Sequence, residues 1–188
     1  QWAPSWSAQL MERTPPEVAA SLGVIGANPR EYTLIFLSIG AIVGTIAAAQ
    51  AGDWFGRRAA YSILCVGSMV AVFGFFQFQS QFGWMFLINS FLVGAISASF
   101  YGWLPLYLPE LFATRIRATG QGFSFNFGRI ISAIGALQVG ALLSVVQKSF
   151  AGIEGGYAVA CSYVIAIYIF GLILIWFCPE TKGKPLPE

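Results

Sequence analysis

Five long apolar stretches, separated by short polar interruptions, set the pattern of this chain. They cover about residues 32–51, 59–78, 84–108, 118–146 and 157–178. No charged residue lies between Glu31 and Asp53, and none between Arg58 and Glu110. In that second interval only Gln79-Ser80-Gln81 and Gly83 break the apolar run. The fourth stretch carries a single charge, Arg129. Each stretch holds the roughly 20 residues a helix needs to cross about 30 Å of hydrocarbon. Strict alternation is absent, so the pattern predicts helices rather than strands, and backbone in lipid must satisfy its own polar groups.

Residues 1–31 are mixed. Trp2, Pro4 and Trp6 are expected at the interfacial end of a membrane helix, because indoles favour the headgroup level. In Thr14-Pro15-Pro16-Glu17, Thr14 is expected as N-cap, Pro15 at the first helical position and Glu17 as the partner completing a capping box. Val18, Leu22 and Ile25 follow at helical spacing, with Gly26 and Pro29 as stop signals. A short amphipathic helix near the membrane surface is the expected result.

Composition agrees with lipid as the main solvent. The 188 residues are 57% hydrophobic and 10% charged, against about 45–50% and about 25% for soluble domains. So few charges cannot cover a globular surface. A net charge of +2, with no basic run, gives no reason to expect nucleic acid. There is no His, which removes the commonest general base and metal ligand. Cys65, Cys161 and Cys178 form neither a disulfide framework nor a zinc spacing. No cofactor, metal or catalytic constellation is expected, and the chain does not read as an enzyme. It begins at Gln1 with no visible signal peptide, and is expected to be a fragment of a longer protein.

Basic residues predict the orientation. Arg57, Arg58, Arg115, Arg117, Lys182 and Lys184 fall on one side, and Arg13, Arg30 and Lys148 on the other. Six against three, with the six in short loops, places the first set in the cytoplasm. Small residues recur every fourth position in two rows: Gly40, Gly44, Ala48 and Gly52, then Gly120, Ser124, Gly128, Ser132, Ala136 and Gly140. Such rows let helices approach closely in lipid and predict a packed polytopic bundle.

Three of the loops carry acid and base together. They are Asp53-Trp54-Phe55-Gly56-Arg57-Arg58, Pro109 to Gly120, and Pro179-Glu180-Thr181-Lys182-Gly183. Opposite charges on neighbouring helix ends can pair in partial burial as a latch; solvated positive-inside residues would give the same composition. Asp53-x-x-Gly56-Arg57-Arg58 resembles the signature hairpin of the major facilitator superfamily. Pro109-Glu110-x-Phe112-x-x-x-x-Arg117-x-x-Gly120 is similar to the motif between spans ten and eleven of its sugar-porter and organic-acid branches. Pro179-Glu180-Thr181-Lys182-Gly183 is similar to the motif closing span twelve. Ala49, Trp54 and Ala113 depart from these patterns. The resemblance covers about residues 32–184 and implies an all-α membrane protein: the C-terminal six-helix bundle of a twelve-span fold, with span seven truncated to residues 1–12. It also implies a charge network of Asp53, Gly56, Arg57, Arg58, Glu110, Arg117 and Glu180 that stabilises the outward-open state. The implied organisation is an extracytoplasmic segment over 1–31, five spans within 32–178 and a cytoplasmic tail over 179–188.

Arg129 is the leading candidate for substrate binding. It lies about 15 Å into its helix, near mid-membrane, where an ionised side chain costs at least about 2.5–3.5 kcal/mol and normally faces a partner or cavity. Its planar fork suits a carboxylate. A structural role, bonding helix carbonyls or an acid elsewhere, is the competing reading. Asn126 shares its face. Ser90, Gly94, Ser97 and Tyr101 form a small polar face suited to a cavity wall, Trp103 with Pro105 marks an expected break, and Ser97, Tyr101 and Trp103 join Arg129 and Asn126 as expected substrate-binding residues. No Asp, Glu or His lies inside a span, so any titratable coupling group would sit in the absent N-terminal half.

The functional expectation is a secondary transporter for a small carboxylate, such as a sugar acid, sialic acid or aromatic acid. The runner-up is a neutral-sugar porter with a structural Arg129. Expected partners are a small-molecule substrate, a proton or sodium as coupling ion, the bilayer and the N-terminal half. The expected location is the plasma membrane, or the inner membrane of a bacterium.

Overall fold

The computed structural model describes residues 3–149 and 156–188, with side chains described through Gly135 and from Ile165 onward except residue 166. Trp2, and the side chains of Ala136, Gly140, Lys148 and Cys161, lie outside these. The described residues are helical and irregular, without strands. The elements are α1 (Ala3–Arg13), α2 (Pro16–Leu22), α3 (Val24–Ala27), α4 (Pro29–Phe55), α5 (Arg57–Phe78), α6 (Trp84–Ala98), α7 (Phe100–Leu111), α8 (Arg117–Ser149) and α9 (Gly156–Phe177). By length and composition α4, α5 and the α6–α7 pair can each cross a membrane. The chain is a multi-pass, all-α membrane protein.

Packing is inverted relative to a soluble protein. The buried residues of α4 are Thr33, Gly40, Gly44, Ala48 and Gly52, while Ile42 and Ile46 are exposed. The first predicted row of small residues is therefore a seam. A Cβ on Gly40 or Gly44 would run into the backbone of Phe91 or Ala95 on α6. Gly94 and Gly102 meet the backbone of Leu37 and Thr45 in the same way. Dispersion between closely approaching backbones holds such helices together where lipid offers no hydrophobic drive. The second row behaves differently. A Cβ on Gly128 would meet nothing within 4 Å, and Ser132 is exposed with its hydroxyl donating to Gly128 O. The row is open at Gly128 and Ser132, whereas at Gly120 a Cβ would strike the Phe112 ring.

The seam also corrects the polar face expected on the third stretch. Ser90 is fully buried with its hydroxyl on Phe86 O, and Gly94 lies on α4, so this part of the face is packed rather than open. The break in that stretch falls at Ser99, earlier than Trp103 and Pro105. The Ser99 hydroxyl takes the Ala95 carbonyl at 2.6 Å, and its N–H shifts to Ile96 O at 3.3 Å. A side chain that competes with the helical ladder divides α6 from α7. The same hydroxyl lies 3.0 Å from Gly44 O, which ties the break to α4.

Aromatic clusters close both ends of the seam. At one end Trp6 packs on Phe75, Phe76 and Phe86, so this indole lies in a core. Thr14 does not cap α2. Pro15 is the N-cap residue, with no side-chain cap bond. Thr14 Oγ1 instead donates to Leu10 O and accepts the Phe82 N–H at 3.0 Å, fastening α1 to the α5–α6 turn. Pro29 starts α4 rather than stopping a helix, as its missing N–H permits in a first turn. The preceding chain bends at Gly23, whose φ of 51° is left-handed. At the other end Ala60, Trp103, Tyr107 and Ile175 form the second core.

Candidate functional site

Beneath that second core the three charged loops converge. Arg57 opens α5 and is 7% exposed. Its guanidinium forks onto Glu110 of α7, with Nε–Oε2 at 2.9 Å and Nη2–Oε1 at 2.6 Å. Its third arm, Nη1, reaches Asp53 Oδ1 at 2.8 Å. The Thr181 hydroxyl donates to Glu110 Oε2 at 2.6 Å, so Glu110 is held from two sides.

Glu180 does a different job. Its carboxylate accepts the backbone N–H of Arg57 at 2.9 Å and of Arg58 at 3.0 Å. These are among the first N–H groups of α5, which have no partner inside their own helix, at the end where the helix dipole favours an anion. Thr181 and Lys182 N–H groups add to it. Burial opposes ionisation of Glu180, but the backbone donors of Arg58, Arg57, Lys182 and Thr181 prevail and hold its carboxyl below the usual carboxylate range. Gly56 makes the approach possible. Its φ of 90° is a conformation side chains avoid, and a Cβ there would sit 3.3 Å from Glu180 Oε2. Arg58 Nε donates to Cys178 O at 2.7 Å, and Lys182 Nζ to Trp54 O at 2.7 Å.

Of the predicted network, Asp53, Gly56, Arg57, Arg58, Glu110 and Glu180 meet in one place. Arg117 stands apart. It donates to Phe112 O, Thr114 Oγ1 and Pro187 O, pinning the tail to the α7–α8 loop. Sequence reading missed Thr181, Lys182 and Tyr107, whose hydroxyl donates to Pro179 O at 2.8 Å. Thr181 and Lys182 lay in view inside the Pro179–Gly183 motif. Tyr107 lies three residues before Glu110, on the same helix face.

The candidates for substrate binding are not gathered into one pocket. Every residue from Asn126 to Gly135 of α8 is exposed. Arg129 lies over the Phe125 ring at 5.7 Å, and no acid among the described residues pairs with it. Asn126 donates to Gly122 O on its own helix. Ser97 is half-buried and donates to Val93 O. Tyr101 is exposed. Trp103 is 2% exposed, in contact with Tyr61 and Tyr107. Among the described residues no group of three or more His, Cys, Asp or Glu could hold a metal.

The family model described as "Sugar (and other) transporter" matches residues 30–183, which include all three charged loops. The chain belongs to this family, within the major facilitator superfamily. It is 27% identical over 159 residues to a probable 4-methylmuconolactone transporter of Cupriavidus pinatubonensis, covering 85% of this chain and 35% of that protein. A cis,cis-muconate transport protein of Acinetobacter baylyi is 28% identical over 149 residues, covering 77% and 32%. A facilitated trehalose transporter of Bombyx mori is 25% identical over 198 residues, covering 90% and 34%. The chain thus spans about a third of the length of these transporter-family relatives.

Proposed function

We propose that this chain is part of a secondary active transporter that moves a small organic carboxylate by alternating access. The observation that carries the carboxylate is Arg129. It is a permanent cation inside an apolar stretch, exposed on its helix, with no acid partner among the described residues. A guanidinium at that depth is costly unless an anion meets it, and its fork matches a carboxylate. Two relatives named for muconate and a muconolactone support this class. The trehalose relative supports the second reading, a neutral-sugar porter in which Arg129 is structural. In this account the protein sits in the plasma membrane, the inner membrane in a bacterium. The network of Arg57, Glu110, Asp53 and Glu180 lies on the cytoplasmic face as a latch that holds one state and releases in another.

The test is uptake of cis,cis-muconate by the full-length protein in vesicles, with Arg129→Gln. Losing hydrogen bonds to a charged group costs about 1.5–3 kcal/mol, so KM rises about 10- to 100-fold with normal membrane insertion. Unchanged uptake kinetics would remove Arg129 from the site.

A further inference from the structure

The Trp103 indole N–H is buried, out of reach of solvent, and has no acceptor. Orphaned buried donors of this kind are rare in folded proteins. The Ser62 and Ser68 hydroxyls also lack partners, but a hydroxyl rotates toward a carbonyl of its own helix. The direction of an indole N–H is fixed by its ring. The nitrogen's side of that ring lies against α4. Its neighbouring carbon, Cδ1, would be 3.5 Å from a Cβ on Gly52, and Arg57 Nη1 would be 3.3 Å from the same point. Trp103, Tyr107 and Glu110 share one face of α7, at i, i+4 and i+7. The orphaned donor therefore sits about two turns from the carboxylate that Arg57 holds.

Helix α4 offers matching acceptors. The last four carbonyls of a helix have no partner within it, and in α4 they belong to Gly52, Asp53, Trp54 and Phe55. Trp54 O already takes Lys182 Nζ. Helix α7 is separate from α6 and touches the α4 backbone closely where Gly102 meets Thr45. Movement of its Glu110 end about that contact carries the indole along α4. We propose that Trp103 opposes the latch: its N–H lacks an acceptor while Arg57 holds Glu110, and donates to a C-terminal carbonyl of α4 once that pair parts. This rests on the latch reading of the charge network and adds what favours release. The ion pairs hold α7 in place, and the unmet donor offsets part of their hold.

The test uses the purified full-length protein. Ultraviolet resonance Raman bands of indole report whether the N–H donates, and subtracting the Trp103→Phe spectrum isolates this residue. A free N–H is expected in the native chain and a hydrogen-bonded one in Glu110→Gln. Release in Glu110→Gln is checked separately by faster maleimide reaction of Ala60→Cys, a buried position, on a background without other cysteines. Replacing Trp103 by benzothienylalanine keeps the ring's shape and puts sulfur in place of the N–H. Removing an unmet donor favours the folded state, so the folded-to-unfolded ratio rises at least about fivefold and the melting temperature goes up. A native N–H that already donates, or a melting temperature that falls, overturns the proposal. Release in Glu110→Gln with unchanged Trp103 bands also overturns it and leaves the latch standing. Failure of Glu110→Gln to release removes the latch and this proposal together.

Discussion

Arg57 bonds two acids whose surroundings differ, and that difference sets what each is worth. The Glu110 side chain is 18% exposed and the Asp53 side chain 65%. Removing one partner of a largely buried ion pair leaves the other uncompensated, at about 3–5 kcal/mol, whereas exposed pairs contribute about 0–1 kcal/mol. Glu110→Gln is therefore expected to lower the unfolding midpoint far more than Asp53→Asn, as measured on the purified protein in detergent. Glu180 adds a pH dependence of fixed sign. Folding lowers its pKa, so its contribution is complete above the unfolded carboxylate value of about 4.3. That contribution is lost as pH falls through the lower folded value. Thermal melts from about pH 5 to about pH 3 should fall more steeply for the native chain than for Glu180→Gln. Parallel curves would mean that Glu180 is not held by the α5 N-terminus.

At the scale of the helices, the glycine seam decides which substitutions the bundle tolerates. A Cβ at Gly44 would overlap the Ala95 backbone, whereas at Gly74 it would meet only the Phe78 ring, at Cδ2, at an ordinary 3.8 Å. Gly44→Ala is expected to destabilise by at least about 1–3 kcal/mol, the usual cost of overpacking. Gly74→Ala is expected to be neutral or to gain up to about 1 kcal/mol from helix propensity. Expression level and melting temperature separate the two. The seam was readable in the sequence because spacing by four marks one helix face. The site of the α6–α7 break was not, because it depends on a hydroxyl choosing Ala95 O over solvent, and Pro105 gave the stronger local signal. Thr14 misled for a related reason. Its cap chemistry was sound locally, but the Phe82 N–H, distant in sequence, competed for the same oxygen.

Across the whole molecule, the charged loops gather at one end and the Trp6 cluster closes the other. The charge pattern foretold which loops belong together, since the three motifs each carry acid and base. It could not foretell that Arg117 would turn to the tail, because Arg115 and Arg117 have the same composition-level signature. The substrate candidates were the least legible part. Helical spacing places Ser97 and Tyr101 on one face, but what covers a face depends on neighbours that spacing does not name.

The latch itself is tested most directly at Ala60, which is 1% exposed in the core above Arg57 and Glu110. Cys65, Cys161 and Cys178 are replaced by alanine in the full-length protein, Ala60→Cys is introduced, and a membrane-impermeant maleimide is applied to each side of sealed vesicles. The account predicts slow reaction from the cytoplasmic side only, accelerated about tenfold or more by Glu110→Gln, as expected for about 1.4 kcal/mol or more lost from the closed state. Reaction from the opposite side, or a rate that Glu110→Gln leaves unchanged, would contradict it.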